Sequence, residues 1–182
     1  MARNTKNIDY KTDYYTGFSK IYFNRILHTI IDFGNLRRET GLILDYGCGV
    51  GHLKKTLPDR NIVGYDIVPE LSEIKDYRSL RPVKIVLSGV LEHLYLHEIE
   101  SLLGEFKRMN PRAELIIFLP TENFISKIAM FLAGQKNAHD DHVSKYEPIN
   151  KLIEKYYFCQ KRKYIFFHMA QITKYLPLQN HE

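Results

Sequence analysis

The sequence predicts an open α/β sheet with a parallel core and helices on both faces. Short, fully apolar runs such as Leu42-Ile43-Leu44 and Ile116-Ile117-Phe118-Leu119 read as strands buried on both sides. They alternate with longer segments whose apolar residues recur at helical spacing. A glycine cluster directly follows the first run, at the strand-to-helix junction where α/β sheets place their ligands.

Each element follows from local pattern. From Ser19 to Arg38 the positions Ile21, Tyr22, Ile26, Leu27, Ile30 and Ile31 form an amphipathic stripe, closed near Gly34 or a turn later. Leu42 to Leu44 is the first strand and leads into Asp45-Tyr46. His52 to Leu57 is a helix stopped by Pro58, and Asn61 to Tyr65 is a second strand ending at Asp66. Pro69 to Tyr77 is expected to be helical, with Pro69 suited to a first turn. Val83 to Leu87 is the third strand, Leu94 to Met109 a long helix, and Glu114 to Leu119 a fourth strand closed by Pro120. Beyond it, Phe124 to Leu132 is an apolar helical stretch and Tyr146 to Tyr157 a further helix. The aromatic-rich segment Phe158 to Met169 is expected to supply one or two strands.

Composition sets the outer bounds. The 182 residues, 45% hydrophobic and 26% charged, fit one globular domain rather than a disordered or collagen-like chain. No apolar run approaches the ~18–20 residues of a membrane span. Met1 to Asp13 is polar and does not read as a signal peptide. Cys48 and Cys159 form neither a disulfide framework nor a zinc pattern, so a cytoplasmic location is expected. From Val143 onward seven Lys or Arg residues face three acids, which reads as a solvated face or as attraction for phosphate.

The most informative stretch is Asp45-Tyr46-Gly47-Cys48-Gly49-Val50-Gly51-His52. A dinucleotide fingerprint, G-x-G-x-x-G counted from Gly47, requires glycine where His52 stands. The loop carries an acid instead, two residues before its first glycine. A carboxylate there opposes a pyrophosphate and welcomes a cation such as an α-amino group. Asp66, at the end of the second strand, has a carboxylate suited to a pair of ribose hydroxyls or to capping the turn that follows.

Together these residues resemble class I S-adenosylmethionine-dependent methyltransferases, in a small, abbreviated, type 11-like form. Asp45 to Gly51 is similar to the family's first signature, and Asp66 falls at its ribose-binding acid. Ser88-Gly89-Val90-Leu91-Glu92-His93-Leu94 is similar to the loop after the fourth family strand, and Ile116 to Pro120 resembles the fifth. The resemblance covers roughly Tyr14 to Pro120. It implies a Rossmann-like fold, S-adenosylmethionine (SAM) as cofactor, and methyl transfer to an acceptor, most naturally a small molecule. The cofactor residues it implies are Asp45, Gly47, Cys48, Gly49, Gly51, Asp66, Ile67 and Ser88, with Tyr14 and Tyr15 closing from the N-terminal segment. His93 and His142 are the candidate bases. His139-Asp140-Asp141-His142 has metal-binding residue types, but consecutive side chains do not converge easily, and no metal is expected. Residues 1–182 are read as one domain: 1–40 an N-terminal cap segment and helix, 41–120 the cofactor core, 121–182 the substrate side. Two other readings are a SAM-binding protein without transferase activity and a basic nucleic-acid-binding module.

The chain also departs from the family. Only sixteen residues, Ile67 to Pro82, separate Asp66 from Val83. A parallel crossover needs a dozen or more residues, so two crossovers and a strand do not fit. The outer strand is expected to be missing or vestigial, leaving the second strand at the sheet edge.

Overall fold

The computed structural model describes residues 19–121 and 143–178. Its centre is a six-stranded sheet in the order β2-β1-β3-β4-β6-β5. Strands β1 (Ile43–Tyr46), β2 (Ile62–Tyr65), β3 (Lys84–Ser88) and β4 (Glu114–Pro120) run parallel. β6 (Ala170–Pro177) joins β4 antiparallel, and β5 (Tyr157–Ile165) forms a hairpin with it. The parallel order places β2 outermost among the described residues, so the expected loss of the outer strand holds.

Alternation along each strand builds two cores. Ile43, Ile62, Val86, Ile116, Phe118 and Ile172 face helix α1 (Ser19–Gly34) and the short helix α2 (His52–Thr56). Leu44, Ile85, Leu87, Leu115, Ile117 and Tyr175 face α3 (Leu96–Met109) and α4 (Tyr146–Ile153). Both faces are covered, which is why the parallel strands read as unbroken apolar runs. α1 ends at Gly34 because Asn35 turns left-handed, at φ 51°, and starts a single 3-10 turn, Leu36–Arg38.

Two expectations are corrected. Pro69 to Tyr77 is not helical; the segment is a series of turns. Its polar groups are captured by the edge of β2: the Ser72 hydroxyl accepts from Asp66 N (3.0 Å), and Glu73 N donates to Gly64 O (3.0 Å). The Glu73 carboxylate also accepts from Gly64 N at 3.3 Å. Local side-chain bonds of this kind compete with helix formation. The segment thus stands in for the missing strand, satisfying edge groups that would otherwise be open to a partner. Tyr77 then buries its ring among Tyr46, Tyr65 and Phe106. The second correction is at α4, which stops at Ile153; Tyr157, expected in that helix, opens β5. The run Tyr156-Tyr157-Phe158 favours a pleated surface over a helical one. Of the one or two strands expected within Phe158 to Met169, β5 occupies that segment, and β6 follows it. Phe124 to Leu132 lies outside the described residues.

At the amino ends of the strands, Lys84 is buried beneath α1. Its ammonium donates to Gly34 O (2.6 Å) and pairs with Glu39 (3.2 Å) and Glu114 (3.3 Å). Lys174 adds a second cation to Glu114 at 3.0 Å. This network ties α1 to three strands on the side away from the glycine loop.

Candidate functional site

The carboxyl ends of β1, β2 and β3 converge on the glycine loop. Gly47 N and Cys48 N donate to Tyr65 O (2.8 and 3.1 Å), so the loop folds back across the end of β2. Gly47 has φ 76°, and a Cβ on it would sit 2.4 Å from Val90 Cγ2. Only glycine permits that approach, and it presses the turn after β3 against the loop. Gly49 and Gly51 also take positive φ, with open space where a Cβ would be.

Asp66 braces the loop. Its Oδ2 accepts from Gly49 N (2.9 Å) and its Oδ1 from Val68 N (3.0 Å), so it does cap the following turn. Each oxygen keeps a second lone pair, because a carboxylate has about four acceptor sites.

Asp45 is 6% exposed and receives no hydrogen bond from a described residue. Burial, reinforced by the negative charges of Asp66 and Glu73, pushes its carboxyl up to about 7. Three carboxylates at one loop, one of them buried and unpaired, make a field suited to a cationic group. The Cys48 thiol is pushed up to about 12 by burial and by Asp45, Asp66 and Glu73. The thiol packs between the loop and the turn that follows β2, donating to Leu71 O at 3.5 Å.

A cavity of about 500 Å3 lies against the loop, lined in part by Cys48, Gly49, Gly51, Lys54, Leu71 and Glu73. That volume is within the usual range of small-ligand sites. Lys54 and Glu73 form an ion pair at its wall. Leu71, Glu73 and Lys54 were not among the residues expected from sequence. They enter because the abbreviated segment folds back along β2, a tertiary event with no local motif.

The structure does not gather every expected residue equally. Cys48, Gly49 and Gly51 line the cavity, and Asp45 and Asp66 stand beside it through the loop. Ser88 is exposed at the carboxyl end of β3, and Ile67 is 83% exposed. His93 is exposed in a 3-10 turn, Leu91–His93, rather than at the start of α3. α3 begins at Leu96, where Glu98 accepts from Tyr95 N (2.8 Å). Tyr14, Tyr15, His142 and the 139–142 acid–histidine run lie outside the described residues. Among the described residues no three His, Cys, Asp or Glu side chains are grouped to hold a metal ion. No described helix is long and apolar enough to cross a membrane.

The basic C-terminal residues are partly committed to the fold. Arg162 pairs with Glu154 (2.7 Å) and donates to the Tyr175 hydroxyl (3.0 Å), while Lys174 serves Glu114. Lys161 lies over the Phe33 ring, 4.2 Å from its centroid. Such charges contribute less to a phosphate-attracting surface than the sequence count implies.

No family model matches the chain, and no curated protein matches it in sequence. Solved structures do resemble it. Magnesium protoporphyrin IX methyltransferase from Synechocystis PCC 6803, with bound SAM, superposes with TM-score 0.64 at 15% identity, over 96% of this chain and 93% of that one. A SAM-dependent methyltransferase from Archaeoglobus fulgidus gives 0.63 at 13% identity, over 88% and 100%. The N-methyltransferase NodS from Bradyrhizobium japonicum WM9, in complex with S-adenosyl-L-homocysteine, gives 0.60 at 13%, over 90% and 89%. The chain has the Rossmann-like fold of the class I SAM-dependent methyltransferases, with the sheet ended at β2.

Proposed function

We propose that this chain binds SAM at the Gly47–Gly51 loop and transfers its methyl group to an acceptor, most naturally a small molecule. The supporting observation is the buried, unpaired Asp45 carboxylate beside the loop, with Asp66 and Glu73 in range. In this reading Asp45 holds the α-amino group and Asp66 uses its remaining lone pairs for ribose hydroxyls. The loop admits the backbone of the ligand at Gly49 and Gly51, while Ile67 and Ser88 flank the adenosine. Tyr14 and Tyr15 close over it from the N-terminal segment.

The bound cofactor supplies an electrophilic methyl and a neutral thioether leaving group. What remains for the protein is alignment of acceptor and methyl, an entropic contribution, and removal of a proton from the acceptor. His93 and His142 are the candidate bases on sequence grounds.

Calorimetric titration with SAM, S-adenosylhomocysteine and NAD in parallel tests this reading. SAM and S-adenosylhomocysteine are expected to bind and NAD to fail. Asp66→Ala is expected to weaken SAM by roughly a hundredfold, since two hydrogen bonds to an ionised group are lost. Binding of NAD alone overturns the proposal. Binding of SAM with no methyl transfer across hydroxyl, amine and carbon acceptors supports a binding protein instead.

A further inference from the structure

One carboxyl at the carboxyl end of the sheet keeps an oxygen that the described residues leave without a partner. Glu92 stands in the 3-10 turn after β3 and is 5% exposed. Its Oε2 has no hydrogen-bond partner among the described residues. A buried carboxyl left in this state destabilises the fold, and an apolar side chain of similar size would serve packing better. Its position is defined by three contacts. The carboxyl folds back on β3, where its Oε1 would lie 3.5 Å from a Cβ on Gly89. Val90, two residues earlier, packs against Gly47 of the glycine loop. The backbone oxygen of Glu92 receives Val143 N (2.8 Å) and Ser144 N (3.2 Å), ahead of α4. Glu92 therefore stands in the turn that Val90 presses against the glycine loop, two residues from that contact. Burial pushes its carboxyl up to about 8, opposed only by its own backbone amide.

We propose that Glu92, rather than the exposed His93, takes the acceptor's proton during methyl transfer. The inference rests on the cofactor reading above. The acceptor atom's lone pair forms the new bond to the methyl carbon, and the carbon–sulfur pair returns to sulfur. The proton on the acceptor passes to the Glu92 carboxylate. A sulfonium and a carboxylate thus become a neutral thioether and a neutral acid, so no net charge is left in a buried site. A neighbouring sulfonium favours the ionised carboxylate before reaction, which loads the base only when cofactor is present.

The test needs no known acceptor. Sinefungin is a SAM analogue with a protonated amine in place of the methylsulfonium, and S-adenosylhomocysteine lacks any group there. Calorimetry on the native protein is expected to show sinefungin bound more tightly than S-adenosylhomocysteine. In Glu92→Gln that preference is expected to fall about thirtyfold, as for a buried charge pair losing one partner, with S-adenosylhomocysteine affinity unchanged. Glu92→Asp, which keeps the carboxylate, is expected to retain part of the preference. Equal affinity for the two ligands in the native protein overturns the proposal without any variant. So does an unaltered preference in Glu92→Gln. If the native protein binds neither ligand, the cofactor reading fails first and takes this assignment with it.

Discussion

The two ends of the parallel sheet hold buried charge in opposite ways. At the amino ends, Lys84 is surrounded by Gly34 O, Glu39 and Glu114, and Lys174 balances the second acid. At the carboxyl ends, Asp45 and Glu92 are about equally buried, yet among the described residues no cation pairs with either carboxyl. A balanced cluster is complete without a ligand and serves the fold. A one-signed cluster with open oxygens weakens the unliganded fold when ionised, and is relieved by protonation or by a cation that binds. The contrast sets a charge cluster that the fold completes against one that the described residues leave open.

The largest expected effect breaks the balanced end. Lys84→Met removes a buried cation and leaves Glu39 and the Gly34 carbonyl without it, while Lys174 still serves Glu114. A loss of about 3–5 kcal/mol is expected, as for breaking a buried ion pair from one side. Urea unfolding at pH 7 measures it. A loss below 1 kcal/mol would mean that the network is solvated and that the two ends do not differ as described.

The opposite sign is expected at the other end. Asp45→Asn removes a charge that burial and two acids disfavour, so the unliganded protein should gain about 1 kcal/mol at pH 8. SAM affinity should fall about thirtyfold or more, since an amino group loses its counter-ion. The pH dependence follows from the raised value. The unfolded carboxyl ionises near 3.8 and the native one near about 7, so the native form holds the extra proton between them. Its contribution to stability therefore falls as pH rises from about 4 to about 7, then levels off. SAM affinity should rise about tenfold per pH unit up to about 7, then fall above about 8 as an α-amino group deprotonates. 5′-Methylthioadenosine, which lacks the amino acid portion, should show neither limb. Flat SAM affinity from pH 5 to 8 would remove Asp45 from the site.

Much of this was legible in the sequence, for identifiable reasons. The strand runs, the glycine loop and Asp66 are local patterns, and local patterns survive folding. The missing strand was legible from chain length alone, because sixteen residues cannot make two crossovers and a strand. Pro69 to Tyr77 reads as helix in the sequence, but Ser72 bonds Asp66 N and Glu73 bonds Gly64, partners at the end and edge of β2 that a local helical pattern does not carry. Glu92 and His93 stand side by side in the same Leu-Glu-His triplet. Side-chain type drew attention to the histidine, whereas burial, which sequence does not carry, distinguishes the glutamate.

The smallest expected effect concerns that same edge, and it asks whether the carboxyl-end site depends on the segment replacing the missing strand. Ser72 Oγ accepts from Asp66 N and donates to Ile74 O (2.7 Å), so Ser72→Ala leaves one donor and one acceptor to find water. About 1 kcal/mol of stability should be lost, the usual net worth of such a bond. SAM affinity should change by no more than a few-fold, because Asp66 keeps its bonds to Gly49 N and Val68 N. Adding Glu73→Ala frees Gly64 N as well and opens the β2 edge to pairing. Sedimentation velocity should then show more concentration-dependent association than the native chain does. A double variant that associates no more than the native chain and is as stable as the single one would mean that the turns at 70–73 do not protect the edge. The abbreviated sheet would then have to be closed by the Tyr46, Tyr65 and Tyr77 rings alone.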